Sequence, residues 1–114
     1  MNPTGGTVRT PATSPSARIT VLSAPACHFC EDADAAIEAI GQDFAIEVEH
    51  LAIESPEGAR LVAEHRPAMT PLVLVDGEFF SAGRLPRRKM IRMLSRRASD
   101  AETLALMNGV HRGQ

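Results

Sequence analysis

Hydrophobic residues in this chain recur with two different periods, and the switches between them mark the elements. Arg18–Ser23 is a short apolar run built on Ile19, Val21 and Leu22, which predicts a strand. From Glu31 the spacing becomes helical: Cys30, Ala33, Ile37 and Ile40 fall on one stripe, and Gly41 suits the position just past the helix end. Phe44–Leu51 alternates, with Phe44, Ile46 and Val48 on one face and Glu47 and Glu49 on the other, as in a half-buried strand. Ser55-Pro56-Glu57-Gly58 reads as a helix start, with Ser55 as N-cap and Pro56 in the first helical position, and the helix is expected to run to His65.

Leu72–Val75 is apolar but too short for a helix before Asp76-Gly77, a tight-hairpin dipeptide, so it predicts a buried strand that returns through Glu78–Ser81. Pro86 opens a final helix. Leu85, Met90, Ile91, Met93 and Leu94 are expected to face the core, with Arg88, Arg92 and Arg96 outside and another helical turn or two over Asp100–Asn108. The order strand, helix, strand, helix, strand, strand, helix argues for an α/β domain whose first two strands pair in parallel.

Met1–Ala17 is rich in Thr, Pro, Gly, Ser and Ala and offers little apolar surface to offset the entropy of ordering, which predicts a disordered tail. The expected organisation is therefore a tail over 1–17, one domain over 18–98 and a partly helical extension over 99–114. At 44% hydrophobic and 23% charged residues, the composition is that of an ordinary globular domain. A net charge of −2 argues against a general polyanion binder, and no apolar stretch approaches membrane-spanning length. The N-terminus lacks the basic and apolar regions of a secretory signal, so the cytoplasm is the expected compartment.

The chain has only two cysteines, Cys27 and Cys30, separated by His28-Phe29. A Cys-x-x-Cys between a strand and a helix reads as a thiol–disulfide redox site. At that spacing the first sulfur stands at the helix entrance and the second about one turn inside, within bonding reach of each other. The unpaired N–H groups and partial positive charge of the helix N-terminus would favour a Cys27 thiolate, with Cys30 as the resolving thiol. Glu31, Asp32 and Asp34 are expected as partners of the helix dipole, though acids close to Cys27 would oppose its ionisation. Half a zinc site, a structural disulfide and inert core thiols are the competing readings. No second cysteine pair exists, and His50, His65 and His111 show no ligand spacing.

With Thr70-Pro71 opening the third strand, the chain from Ile19 to Leu94 resembles the thioredoxin superfamily, and in its compactness the glutaredoxin branch. The resemblance implies a thioredoxin-like βαβαββα fold and a site shared by Cys27, Cys30 and Pro71. It implies a cis Thr70–Pro71 bond, with the backbone of Thr70 offered to an extended thiol substrate. Phe29 would shield the site and pack on substrate. A cationic His28 beside Cys27 would favour the thiolate and offset the lysine that glutaredoxins carry where this chain has Ala24, leaving a middling potential.

Other glutathione-binding features of that branch are replaced here: its Pro-Tyr by His28-Phe29, and its Gly-Gly-Asp by Ser81-Ala82 and then Arg84 or Leu85. Glutathione, mycothiol and a thioredoxin reductase are all allowed as reductant, with no tightly bound cofactor. The expected partner is a disulfide-containing protein or a low-molecular-weight thiol disulfide; neither a membrane nor nucleic acid is favoured, and the chain is expected to be a monomer. Iron–sulfur or other metal carriage, as in some glutaredoxins, is the rival reading.

Seven of the twelve Lys and Arg residues fall between Arg84 and Arg97, a stretch without acids. This segment is either a solvated helix face or an anionic docking surface. In the second case it would meet an acidic protein partner, or Arg84 or Arg87 would reach the carboxylates of a small thiol cofactor. A redox-inactive adaptor docking through this helix is a further rival.

Overall fold

The structure, a computed structural model, describes residues 15–110. In chain order its elements are β1 (Ala17–Ser23), α1 (His28–Ile40), β2 (Ile46–Ala52), α2 (Pro56–His65), β3 (Leu72–Val75), β4 (Glu78–Ala82) and α3 (Arg87–Val110). The strands form one four-stranded sheet in the order β2-β1-β3-β4. β1 pairs with β2 in parallel and with β3 antiparallel, setting Val21 opposite both His50 and Val73. The β3–β4 pair is antiparallel, with a shift in register between Val73 and Leu74.

The continuous apolar run of β3 follows from its place in this sheet. Alternate side chains enter two different cores, so every residue of Leu72–Val75 is buried. On one face Ile19, Val21, Val73 and Val75 meet Ala33, Ile37 and Ile40 of α1 and Met90 and Leu94 of α3. On the other, Leu22, Leu72 and Leu74 pack with Leu61 of α2. The layers are thus helix, sheet, helix, and both cysteines lie at the end of β1, where α1 begins.

Local chemistry sets the turns. Asp76 and Gly77 both have positive φ, +53° and +86°, the backbone that a two-residue hairpin with matching strand twist requires. Asp76 does more than turn the chain: its Oδ1 accepts the Arg18 backbone N–H at 3.0 Å, and its Oδ2 accepts from Arg97 of α3. These contacts, the Arg18 N–H first and the Arg97 guanidinium second, hold the Asp76 carboxyl below its ordinary value of 3.8. The stabilisation is therefore complete above that value and is lost as pH falls through the depressed one. Asp76→Asn, which tolerates the same backbone, is expected to lower stability near neutrality. In urea titrations its deficit relative to the parent should shrink from about pH 7 to about pH 3. A deficit independent of pH would assign the effect to the turn alone.

The structure moves several expected boundaries. β1 starts at Ala17, which is buried, so the sheet takes in the last residue of the expected tail; residues 1–14 lie outside the described part. Phe44 precedes β2, and its N–H closes the turn after α1 on the Ile40 carbonyl at 3.1 Å. α3 is one continuous helix of 24 residues, so residues 99–110 prolong it rather than forming a separate turn. Ile91, expected in the core, is 40% exposed. A 100° step per residue carries it off the stripe set by Met90 and Leu94. No helix among the described residues is long and apolar enough to cross a membrane.

Candidate active site

The site forms where β1 ends and Ala24-Pro25-Ala26 turns the chain into α1. Cys27 is the N-cap of that helix, with extended backbone (φ −104°, ψ 110°), and Cys30 is its third residue. The two are joined in a disulfide with Cα atoms 5.2 Å apart. Their surroundings differ. Cys30 is buried at 4% exposure and belongs to the core, whereas Cys27 is half-buried at the surface. An incoming group therefore meets the Cys27 sulfur, with Cys30 behind it.

Cys27 Sγ fills the acceptor role that Ser or Asp usually takes at an N-cap, receiving the Cys30 backbone N–H at 3.1 Å. The Thr70 hydroxyl lies 3.4 Å from the same sulfur. A disulfide sulfur has no proton, so the hydroxyl is the donor in this contact. The Thr70 carbonyl oxygen, 3.7 Å away, is a neighbour rather than an acceptor. Both N–H and O–H donors persist on reduction and are placed to stabilise a thiolate.

Thr70 is held in place by its neighbours. The Thr70–Pro71 peptide bond is cis, Pro71 is fully buried, and its carbonyl accepts the Gly83 N–H at 3.0 Å. Of the three acids expected at the helix dipole only Glu31 lies in the first turn, because α1 already begins at His28; Asp32 and Asp34 fall in the second. Arg87 of α3 meets Asp32 at 2.8 Å, and His50 of β2 meets Asp34 at 3.3 Å. Both pairs are exposed and individually weak.

An open depression of about 510 Å³ lies beside the sulfur, lined by Ala24, Pro25, His28, Phe29, Met69 and Thr70 together with Ala26 and Cys27. Cys27, Cys30, His28, Phe29, Thr70 and Pro71 are thus brought together. Arg84 is not: it follows Gly83 along the chain and is exposed, but does not line the depression. The imidazole of His28 is exposed at the first position of α1. Met69 is the residue that sequence reasoning passed over. It is 51% exposed, forms a rim of the depression and packs over Gly83. Its position before Thr70-Pro71 was the available signal. Among the described residues no group of three or more His, Cys, Asp or Glu is placed to hold a metal ion.

A thioredoxin-like α/β domain with a Cys-x-x-Cys pair at the start of its first helix is the class that this fold and site define. The family described as "Thioredoxin domain" matches residues 17–96, and the chain belongs to it. Among solved structures, it is similar to a thioredoxin-like protein from Clostridium perfringens, with a TM-score of 0.58 at 10% identity over 69% of this chain and 68% of that one. At that identity the likeness concerns the fold alone. No curated protein matches the sequence.

Proposed function

We propose that this chain is a small glutaredoxin-like thiol–disulfide oxidoreductase that works in the cytoplasm and reduces disulfides or mixed disulfides. The observation that carries the reading is the placement of Cys27. Its sulfur is reachable from solvent, receives two donors, and is already bonded to a buried Cys30. An inert core pair or a purely structural disulfide has no need of such an arrangement.

In the proposed cycle an external reductant delivers two electrons to the Cys27–Cys30 disulfide. A low-molecular-weight thiol such as glutathione or mycothiol, or a thioredoxin reductase, would serve. The Cys27 thiolate then attacks one sulfur of the substrate disulfide. The substrate S–S bond breaks, a Cys27–substrate mixed disulfide forms, and the other substrate sulfur leaves as a thiolate that takes a proton from water. Cys30, deprotonated as it attacks, displaces the bound sulfur and restores the internal disulfide. The balance is one substrate disulfide converted to two thiols and one protein dithiol converted to a disulfide.

In this reading His28 adds positive charge near the Cys27 thiolate, while Phe29 and Met69 flank an apolar approach for substrate. Thr70 and Pro71 shape the groove on the other side of the sulfur, and Arg84 waits beyond its rim for an anionic group.

Reduced Cys30→Ser, mixed with a disulfide peptide and acid-quenched, is expected to accumulate one peptide on Cys27 by mass spectrometry. Absence of any adduct across the accessible pH range would overturn the assignment. In the same trapping reaction His28→Ala should need a higher pH to form the adduct, and an unchanged pH profile would remove His28 from the account.

A further inference from the structure

Arg88, Arg92 and Arg96 are exposed and recur every four residues along α3, on the side of the helix opposite the fully buried Met90 and Leu94. The other cations of this segment are engaged. Arg87 meets Asp32, Arg97 meets Asp76, and Lys89 stands 4.9 Å from the centroid of the Phe80 ring. Among the described residues Arg84, Arg88, Arg92 and Arg96 have no ion-pair partner, although Asp100 lies one turn beyond Arg96. Acids are not scarce: the chain has 14, all between Glu31 and Glu102. Like charges one helical turn apart repel, so α3 carries a cost that an anionic occupant would remove.

The row starts at the end of α3 nearer the disulfide. Arg84, in the loop before α3, follows Gly83, which donates to the Pro71 carbonyl at 3.0 Å and lies under Met69 at the rim of the depression. The Arg87–Asp32 pair fixes the start of α3 beside the first turn of α1. From there α3 runs toward the Asp76 hairpin, which Arg97 contacts at the opposite end of the sheet.

We propose that Arg88, Arg92 and Arg96 of α3, with Arg84 in the loop before it, dock an acidic segment of the protein whose disulfide Cys27 attacks. This rests on the oxidoreductase reading and names its partner. Arginines four apart on a helix are separated by about 6 Å along the axis. Side chains on one side of an extended peptide repeat at about 6.8 Å. An extended segment with Asp or Glu at alternate positions therefore matches the row, each carboxylate meeting one guanidinium. Glutathione has two carboxylates and mycothiol none, so neither spans the row. Nucleic acid brings no disulfide to Cys27, and the net charge of −2 works against it.

The test compares the whole chain with its Arg88→Gln/Arg92→Gln/Arg96→Gln variant, which leaves Arg84 and the depression intact. Two disulfide peptides are reduced in the presence of dithiothreitol, identical except that one has Asp and the other Asn at alternate positions beside the cystine. Exposed pairs are individually modest, but three together are expected to raise KM for the Asp peptide about tenfold in the variant. Turnover at saturation and the Asn peptide should be unaffected. The preference of the parent chain for the Asp peptide should disappear by about 0.5 M salt.

An unchanged KM for the Asp peptide overturns the proposal, as does an equal loss on the Asn peptide or on glutathione disulfide. Tighter binding of a duplex oligonucleotide than of the Asp peptide also overturns it. If the parent chain reduces neither peptide, the oxidoreductase reading fails. Fluorescence anisotropy with a cysteine-free Asp peptide then decides the row separately: weaker binding to the variant supports docking, and equal binding ends it.

Discussion

Cys27→Ser is expected to abolish disulfide reduction while leaving the domain folded, and Thr70→Val is expected to weaken it in a way that pH can restore. The first follows from chemistry. A serine hydroxyl is not ionised near neutrality and does not exchange with a disulfide sulfur, and Cys30 lies too deep in the core to replace the lost nucleophile. The second is graded. The Thr70 hydroxyl is 3.4 Å from the Cys27 sulfur, while the Cys30 N–H at 3.1 Å is unaffected by changing Thr70. A hydrogen bond to a charged group contributes about 1.5–3 kcal/mol, and sulfur is a weak acceptor at the low end of that range.

Removing the hydroxyl disfavours the charged form of Cys27, so less thiolate is present near neutrality and attack slows about tenfold. The rate should recover as pH rises and the thiolate becomes complete. Initial rates across pH with one disulfide peptide measure both effects. Residual turnover in Cys27→Ser would make Cys30 the nucleophile. A Thr70→Val profile identical to the parent would mean that the hydroxyl does not face the sulfur once the disulfide is reduced.

This site was legible in the sequence to unequal depth. Cys27 and Cys30 declared themselves because a strand, two thiols and a helix in that order constrain one another within a few residues. Thr70-Pro71 was readable through its position before a buried strand. The hydroxyl contact and the rim formed by Met69 were not, because both depend on how the segment between α2 and β3 docks against Cys27, 43 residues away in sequence. The same division holds for the fold. Periodicity located α1, β2 and α3, apolar runs located β1 and β3, Ser55-Pro56 opened α2, and Asp76-Gly77 announced its hairpin through backbone preference. The second role of Asp76, linking β1 to α3 through Arg18 and Arg97, is a long-range fact with no local signature. Arginine repetition on α3 was visible in the sequence, but which arginines have partners became readable only when Asp32 and Asp76 were brought to Arg87 and Arg97.

Gly58→Ala shows the same limit as a change of sign. From sequence, a glycine inside the first turn of α2 weakens the helix, and alanine should stabilise it by about 1 kcal/mol. The structure predicts the reverse. A Cβ at position 58 would lie 2.0 Å from the Ala52 carbonyl oxygen and 2.9 Å from Ser55 Oγ. The first is backbone at the end of β2 and cannot rotate away. The second is the cap itself: Ser55 Oγ donates to the Ala52 carbonyl at 2.7 Å and accepts the Gly58 N–H at 2.9 Å.

Accommodating a methyl group there requires α2 to lift from β2, which loosens the Ser55 cap and draws Leu61 away from Leu22, Leu72 and Leu74. Overpacking costs about 1–3 kcal/mol and loss of a cap about 1 kcal/mol, together outweighing the gain in helix propensity. The expected result is a net loss of about 1–3 kcal/mol, read as a lower urea midpoint with little change in slope. No residue of α2 lines the depression beside Cys27, so under folding conditions the rate of disulfide reduction should stay near that of the parent. A variant more stable than the parent would show that α2 and β2 can separate here without cost.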